Sequence, residues 1–329
     1  MKLSVAMCTY NGARYLQEQL ASLAAQTRLP DEVVVCDDCS SDNTREILET
    51  FKAQAPFPVR LYFNETNLKV WSNFGKAIEL CEGEIIALCD QDDVWHPEKL
   101  SLIESAFAAA PQAGMVFSDL EVMDETMREL GCRAWQCEGV EFGLREQRMF
   151  AQKKAFDVLL SRNVVTGCAM AFRGEFKRLL LPIPPSDTCL FHDYWIALVL
   201  SLVSEVAIIE KPLVKYRVHA SQQIGFITPS ASEFGSSRRQ RRVPACRVEH
   251  LLERFLEDEN RTLYPSVPAL LKPILAHARA HERLPDKKIA RRVLLVLREL
   301  VAGRYHLCAA PGSSGWRDVM IDLTPYKYR

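Results

Sequence analysis

The sequence predicts an α/β fold: an open, mostly parallel sheet with helices on both faces, followed by a helical extension. Three observations predict it. Short apolar runs recur and end in polar residues, segments with helical spacing separate them, and beyond residue 245 only helical stripes remain. Leu3 to Met7 and Val33 to Cys36 are too short for helices and read as buried parallel strands. Between them Tyr15, Leu16, Leu20 and Leu23 fall at helical spacing. Asp42-Asn43-Thr44 marks a helix start, with Ile47, Leu48 and Phe51 on one face. Val59 to Phe63 reads as a third strand, residues 72–81 as a helix ended by Glu82-Gly83, and Ile85 to Cys89 as a fourth buried strand. His96-Pro97-Glu98-Lys99 opens the next helix, where Pro is tolerated in the first turn.

Met115 to Leu120 and Gly167 to Phe172 are strand-like. Alternation after Val214 predicts a strand with Tyr216 and Val218 on one face, Arg217 and His219 on the other. Ser230 to Arg242, with Arg238-Arg239-Gln240-Arg241-Arg242 at its core, reads as a linker or mobile loop. Two helical stripes follow, Val248, Leu251, Leu252 and Phe255, then Ile289, Val293, Val296, Leu297 and Leu300. The expected organisation is a main domain over 1–225, a basic linker over 226–244 and a helical region over 245–329.

Composition narrows the function. With 48% hydrophobic and 25% charged residues the chain has ordinary globular make-up. A net charge of -1 gives no general pull toward nucleic acid. No apolar run reaches the roughly 18 residues that span a bilayer. Met1 to Met7 lacks a small-residue cleavage site and reads as a strand, not an export signal. The eleven cysteines are scattered and odd in number, which fits reduced thiols in the cytoplasm. Cys36-Asp37-Asp38-Cys39 has no second pair of that spacing to complete a zinc site.

In sheets of this kind ligands bind beyond the carboxyl ends of the strands. The groups placed there are Thr9-Tyr10-Asn11, Asp37-Asp38 and Asp90-Gln91-Asp92-Asp93. Three carboxylates within four residues repel one another, and a Mg2+ or Mn2+ ion with hard oxygen ligands relieves that repulsion. An acidic helix N-terminus accounts for one of them comfortably and for three poorly.

Ser4 to Gly12, Val34 to Asp42 and Gly83 to Asp93, in this order and spacing, resemble family 2 glycosyltransferases, and the likeness covers roughly residues 1–225. The resemblance implies the GT-A (nucleotide-diphospho-sugar transferase) fold and inversion at the anomeric carbon in one in-line displacement. It places Thr9, Tyr10, Asn11, Asp38, Lys69 and Asn73 around the nucleotide, with Asp38 pairing with the base imide and Lys69 reaching phosphate or standing as a solvated lysine. It makes Asp92 the direct metal ligand with Asp90 as partner, Asp93 a residue behind the ligands or a donor-sugar contact, and Gln91 a donor, diphosphate or acceptor contact. Phe191-His192-Asp193-Tyr194-Trp195 stands where the family carries its catalytic carboxylate. Asp193 is then the general base, or a cap for a helix Tyr194 to Leu202. His192 tunes it, binds the acceptor or packs in a loop, and Trp195 contacts donor or acceptor. The His-Asp pair resembles a rhamnosyltransferase-like branch. Tyr216-Arg217-Val218-His219 resembles the segment that ends the catalytic domain, where Arg217 steadies the leaving group and His219 reaches metal or diphosphate; Gln222 and Gln223 close the site.

The expected donor is dTDP-rhamnose or a UDP-hexose, and the acceptor a glycan or lipid-linked glycan of a surface polysaccharide or lipopolysaccharide. The implied setting is cytoplasmic, with peripheral contact at the inner face of the plasma membrane through Arg238 to Arg242, or a solvated loop there. A homodimer through the C-terminal helices is open. The competing readings are an inactive nucleotide-sugar-binding scaffold and a sugar nucleotidyltransferase; the latter wants a Gly-rich basic first loop, whereas Thr9 to Arg14 has one glycine and one arginine.

Overall fold

The structure is a computed structural model describing residues 1–137, 140–185, 190–220, 222, 243–282, 284, 289–307 and 315–323. It divides into two compact units. The first comprises Met1–Ala155, Asn163–Ser186 and Phe191–Ser237; the second comprises Phe156–Arg162, Asp187–Leu190 and Arg238–Arg329.

The first unit holds the strands β1 (Leu3–Thr9), β2 (Glu32–Asp37), β3 (Val59–Phe63), β4 (Ile85–Cys89), β5 (Val94–Trp95), β6 (Ala113–Ser118), β7 (Glu121–Met123), β8 (Glu129–Arg133), β9 (Met170–Arg173), β10 (Glu205–Ile209) and β11 (Val214–Arg217). Its first helices are α1 (Leu16–Ala24), α2 (Thr44–Gln54), α3 (Lys69–Leu80), α4 (Lys99–Ala109) and α5 (Leu144–Ala151). After α6 (Ala155–Ser161) come α7 (Lys177–Leu180) and α8 (His192–Val203). The second unit carries α9 (Ala245–Leu256), α10 (Asp258–Leu263), α11 (Ser266–Glu282), α12 (Ile289–Val301), α13 (Arg304–Leu307) and α14 (Trp316–Leu323).

Seven strands form the main sheet in the order β10-β6-β9-β4-β1-β2-β3. Every pairing is parallel except those of β9, which lies antiparallel between β4 and β6. β1, β2 and β4 are buried at every residue, as expected of strands covered on both faces. Register sets the site: Thr9 lies opposite Asp37, and Met7 opposite Cys89. The loops after β1, β2 and β4 therefore leave one edge of the sheet together. A second sheet, β5-β11-β7-β8, pairs Lys215 with Val94 and so brings the end of β11 beside the acidic segment.

The expected mostly parallel α/β fold is the one seen. Within it, Gly167–Ala169 is a 3-10 turn and not the start of a strand, which begins at Met170. The helix expected from 194 begins at His192, with Phe191 at its cap position and no side-chain cap bond. Asp193 therefore stands in the first turn, so it is not the capping residue. In the second unit α12 forms, but its expected inner stripe is displaced. Val293 and Leu297 are exposed, while Arg292, Val296 and Glu299 are buried. Arg238 to Arg242 and most of the expected linker lie outside the described residues. Among the described residues no helix is long and apolar enough to cross a membrane.

Candidate functional site

The loops after β1 and β2 are joined by side-chain bonds. Asp37 accepts from the Thr9 hydroxyl at 2.8 Å and from the Ser40 hydroxyl at 2.5 Å. Asn11, held at φ 46, donates its N–H to Ser40 and accepts from the Ser41 N–H, each at 2.8 Å. The Thr44 hydroxyl accepts the Gly12 N–H at 2.8 Å. Thr9 is thus buried and committed to Asp37, while Tyr10 keeps 45% of its surface exposed and has its ring available to a ligand.

Asp38 is buried and already a hub. Its Oδ1 accepts from Asn64 at 2.9 Å and the Leu68 N–H at 2.7 Å, and its Oδ2 accepts the Lys69 N–H at 3.0 Å. A carboxylate has about four acceptor positions, so one remains for a ligand donor. Asn73 is committed entirely inside the protein, donating to the Cys36 carbonyl and accepting from Asn64, both at 2.8 Å. It shapes the pocket wall through Asn64, without an amide end left for a nucleotide. Lys69 has an exposed side chain and a backbone at φ 69.

The acidic segment splits. The Gln91 side chain clasps the Tyr10 backbone, accepting its N–H at 2.8 Å and donating to its carbonyl at 3.1 Å. Asp92 faces His219, Oδ2 to Nε2 at 2.9 Å. Asp90 and Asp93 turn the other way, toward Cys168, with ligand atoms of all three within 4.8 Å of one another. Burial, then the charges of Asp93 and Asp92, push the Asp90 carboxyl well above the usual range. Asp93 is fully buried, accepts the Arg217 N–H at 3.2 Å and is also pushed up by burial and by Asp92. Its Oδ2 has no hydrogen-bond donor among the described residues. Asp93 therefore faces inward in this structure.

This donor set fits a divalent cation. Raised carboxyl groups crowded at a strand end, with an undonated buried oxygen, are what a cation would relieve. Among the described residues the ligand atoms close enough to share one ion are those of Asp90, Asp93 and Cys168, while Asp92 and His219 pair with each other.

Arg217 is buried and bonded on every side: to Glu18 at 2.8 Å, to the Glu125 carbonyl at 2.8 Å and to the Asp92 carbonyl at 2.8 Å. Its guanidinium also lies 4.5 Å from the Tyr15 ring centre, and that ring is 4.8 Å from His219. Arg217 thus fixes the Asp92 backbone and the Tyr15–His219 stack, a structural place that differs from the expected contact with the leaving group. The Gln222 Oε1 accepts the His219 N–H at 2.6 Å; Gln223 lies outside the described residues.

Asp193 is half-buried at the start of α8. Oδ2 accepts the Gly167 N–H at 3.1 Å and Oδ1 accepts the Tyr194 N–H at 2.6 Å. Burial lifts its pKa to about 6 against the pull of those bonds. His192 stacks on Phe74 at 4.1 Å, and burial drops its pKa to about 3, so it is neutral. Trp195 is fully buried and donates to the Leu180 carbonyl at 2.8 Å. It anchors α8 and is out of reach of a ligand, because a large ring in a helix's buried face packs inward.

Residues 4–178, more than half of the chain, match Glycosyl transferase family 2. The chain belongs to this family. An uncharacterised glycosyltransferase of Nostoc sp. is 28% identical over 67% of this chain and 66% of its own length. An uncharacterised Mycobacterium tuberculosis protein is 27% identical over 66% of this chain and 59% of its own length, so the match spans less than two thirds of these relatives. A Bacillus subtilis protein named as a glycosyltransferase of teichuronic acid biosynthesis is 31% identical over 30% of this chain and 38% of its own. Among solved structures, Staphylococcus aureus TarS with UDP-GlcNAc shares the fold, with a TM-score of 0.55 and 16% identity over 94% of this chain and 82% of that one.

Several members of the site escaped the sequence reading. Cys168 lay inside an apolar strand-like segment, Lys99 was read only as part of a helix start, and Asn64 and Glu18 were not singled out. Each meets its partner only through tertiary pairing, as in Lys99 and Cys168, which are 69 residues apart.

Proposed function

We propose that the chain is an inverting, metal-dependent glycosyltransferase that moves a sugar from a nucleotide-sugar to a hydroxyl of a surface polysaccharide or lipopolysaccharide acceptor. The observation that carries the reading is the meeting of three loops at one sheet edge. Tyr10 and Asn11 are beside Asp37 and Asp38, Gln91 clasps Tyr10, and Asp92 faces His219.

The nucleotide base takes the remaining acceptor position of Asp38, with Tyr10 exposed beside it. Asp92 and His219, with Asp90, would hold Mn2+ or Mg2+. Such a cation would supply charge neutralisation to the departing diphosphate. Asp193 takes the proton of the acceptor hydroxyl as that oxygen bonds to the anomeric carbon and the carbon–phosphate oxygen bond breaks. A pKa of about 6 leaves Asp193 ionised at neutral pH and still basic enough to share a proton in the transition state. No side-chain nucleophile is required.

The donors to compare are dTDP-rhamnose and UDP-hexoses. TarS was crystallised with UDP-GlcNAc, so that sugar belongs among them. The test is a thermal-shift and hydrolysis screen of nucleotide-sugars with and without Mn2+. Metal-enhanced stabilisation and turnover by one donor class is the expected result. Failure of every donor to bind with metal present would overturn the reading.

A further inference from the structure

Lys99, the first residue of α4, is 0% exposed. Its ammonium donates to the Cys168 carbonyl and stands 3.4 Å from the centre of the Trp95 ring. Burial draws its pKa down to about 8, opposed by the fields of Cys168, Cys89, Asp93 and Asp90. Lysine is almost never fully buried without a partner, because taking an ammonium out of water is costly even after relaxation. An aliphatic side chain would close the same space without that cost.

The surroundings say what the charge does. Lys99 holds the Cys168 carbonyl in the turn Gly167–Ala169, whose Gly167 N–H holds Asp193 Oδ2 at 3.1 Å. Asp90 and Asp93 gather at Cys168 too, with a ligand atom of each within 4.8 Å of that of Cys168. That turn has no slack: a Cβ on Gly167 would come within 2.9 Å of His192 Nε2.

We propose that Lys99 is a positioning residue of the transfer site, a buried counter-charge to Asp90 and Asp93 that also anchors the turn orienting Asp193. One side chain thereby couples the acidic cluster to the general base. The assignment rests on the glycosyl-transfer reading of this site, and the test separates the two.

Two variants dissect it. Lys99→Met removes charge and donor; Lys99→Gln removes the charge and keeps a donor for the Cys168 carbonyl. Mn2+ affinity is read on the protein alone, by electron spin resonance of free Mn2+, beside melting temperature, kcat and acceptor KM. Lys99→Met is expected to fold, to bind Mn2+ about 10-fold more tightly because a positive charge that repels the ion is gone, and to lose about 10- to 100-fold in kcat as the turn behind Asp193 loosens. Its acceptor KM stays at the wild-type value. Lys99→Gln regains part of kcat and keeps the tighter Mn2+ binding. A folded Lys99→Met with wild-type Mn2+ affinity and kcat overturns the proposal. Should Lys99→Met not fold, Lys99→Gln decides by the same two readouts. A wild-type chain that binds Mn2+ and turns over no nucleotide-sugar defeats the transfer reading, while the Mn2+ arm still decides Lys99. One that turns over without Mn2+ leaves the kcat arm to decide.

Discussion

Strand β4 and helix α12 use similar residues in opposite ways. In β4 all five residues, Ile85 to Cys89, are buried, and polarity begins at the next residue, Asp90, beyond the strand end. In α12 the aliphatic Leu294, Leu297 and Val301 are 69%, 50% and 88% exposed, while Arg292 and Glu299 are at 5% and 3%. Glu299 there accepts from Arg304 at 2.8 Å and pairs with His277 at 3.0 Å; Arg292 donates to the Asp322 carbonyl at 2.5 Å. A strand covered on both faces offers no choice of side, so its apolar run alone fixes its place. An amphipathic helix has a choice, and here Val296 stays inside while the polar-partnered Arg292 and Glu299 take the inner positions expected of Val293 and Leu297.

The comparison is sharpened most by the general base. Asp193→Asn should lower kcat by about 10²- to 10⁴-fold and leave donor binding intact, measured by steady-state kinetics beside donor titration. Loss of donor binding instead would move Asp193 from the acceptor side to the nucleotide. Wild-type kcat/KM should rise with pH and level off above about 6, because the base must be unprotonated and burial has lifted its pKa there. Asp193→Asn should lose that limb. An activity already flat down to pH 4 would contradict the buried, raised carboxyl.

In the helical unit the corresponding probe is Glu299→Ala. It leaves His277 and Arg304 without their shared acceptor in a buried place, and should cost about 2 kcal/mol, read as a lowered melting temperature of the full chain. An unchanged melting temperature would mean that Glu299 is solvated, as the sequence stripe implies.

How much was legible follows from the same contrast. Six of the seven strands of the main sheet and the acidic loops at their ends were readable, because buried strands announce themselves as apolar runs ended by polar residues; the half-buried edge strand β10 was missed. Motif spacing singled out Asp38, Asp92, His219 and Asp193, whose roles are part of the proposed function. The division of the acidic segment was not readable: that Asp93 points inward to Arg217 and Cys168 depends on β11 pairing with β5. Asn73 and Trp195 illustrate the same gap. Both lie in motif segments, yet helix geometry turns the first onto Cys36 and Asn64 and the second onto Leu180. Periodicity found α12 and could not choose its inner face.

A smaller effect probes the loop clasp. A Cβ on Gly12 would sit 2.2 Å from Gln91 Oε1, the atom that accepts the Tyr10 N–H. The Gln91 amide can swing away, so Gly12→Ala should cost about 1 kcal/mol, one net hydrogen bond. It frees the Tyr10 loop, and donor KM should rise while kcat at saturation stays near wild type. A fall in kcat with donor KM unchanged would place the clasp on the chemistry and not on donor binding.

The smallest expected effect cuts most directly between the two regions. Read from its stripe, Leu297 is a core residue, and placing a carboxylate there would cost several kcal/mol, roughly what burying an unpaired charge requires. In the structure Leu297 is half in solvent, and a carboxylate there stays hydrated. Leu297→Asp should therefore change stability by only about 0.5 kcal/mol, within the range for exposed positions. Set beside Glu299→Ala, two residues away on the opposite side, it inverts the ordinary expectation: the charged side chain is the costly one to lose and the leucine is the dispensable one. A large loss from Leu297→Asp with none from Glu299→Ala would rotate α12 by about half a turn and restore the stripe to the core, because positions two apart on a helix differ by about 200°.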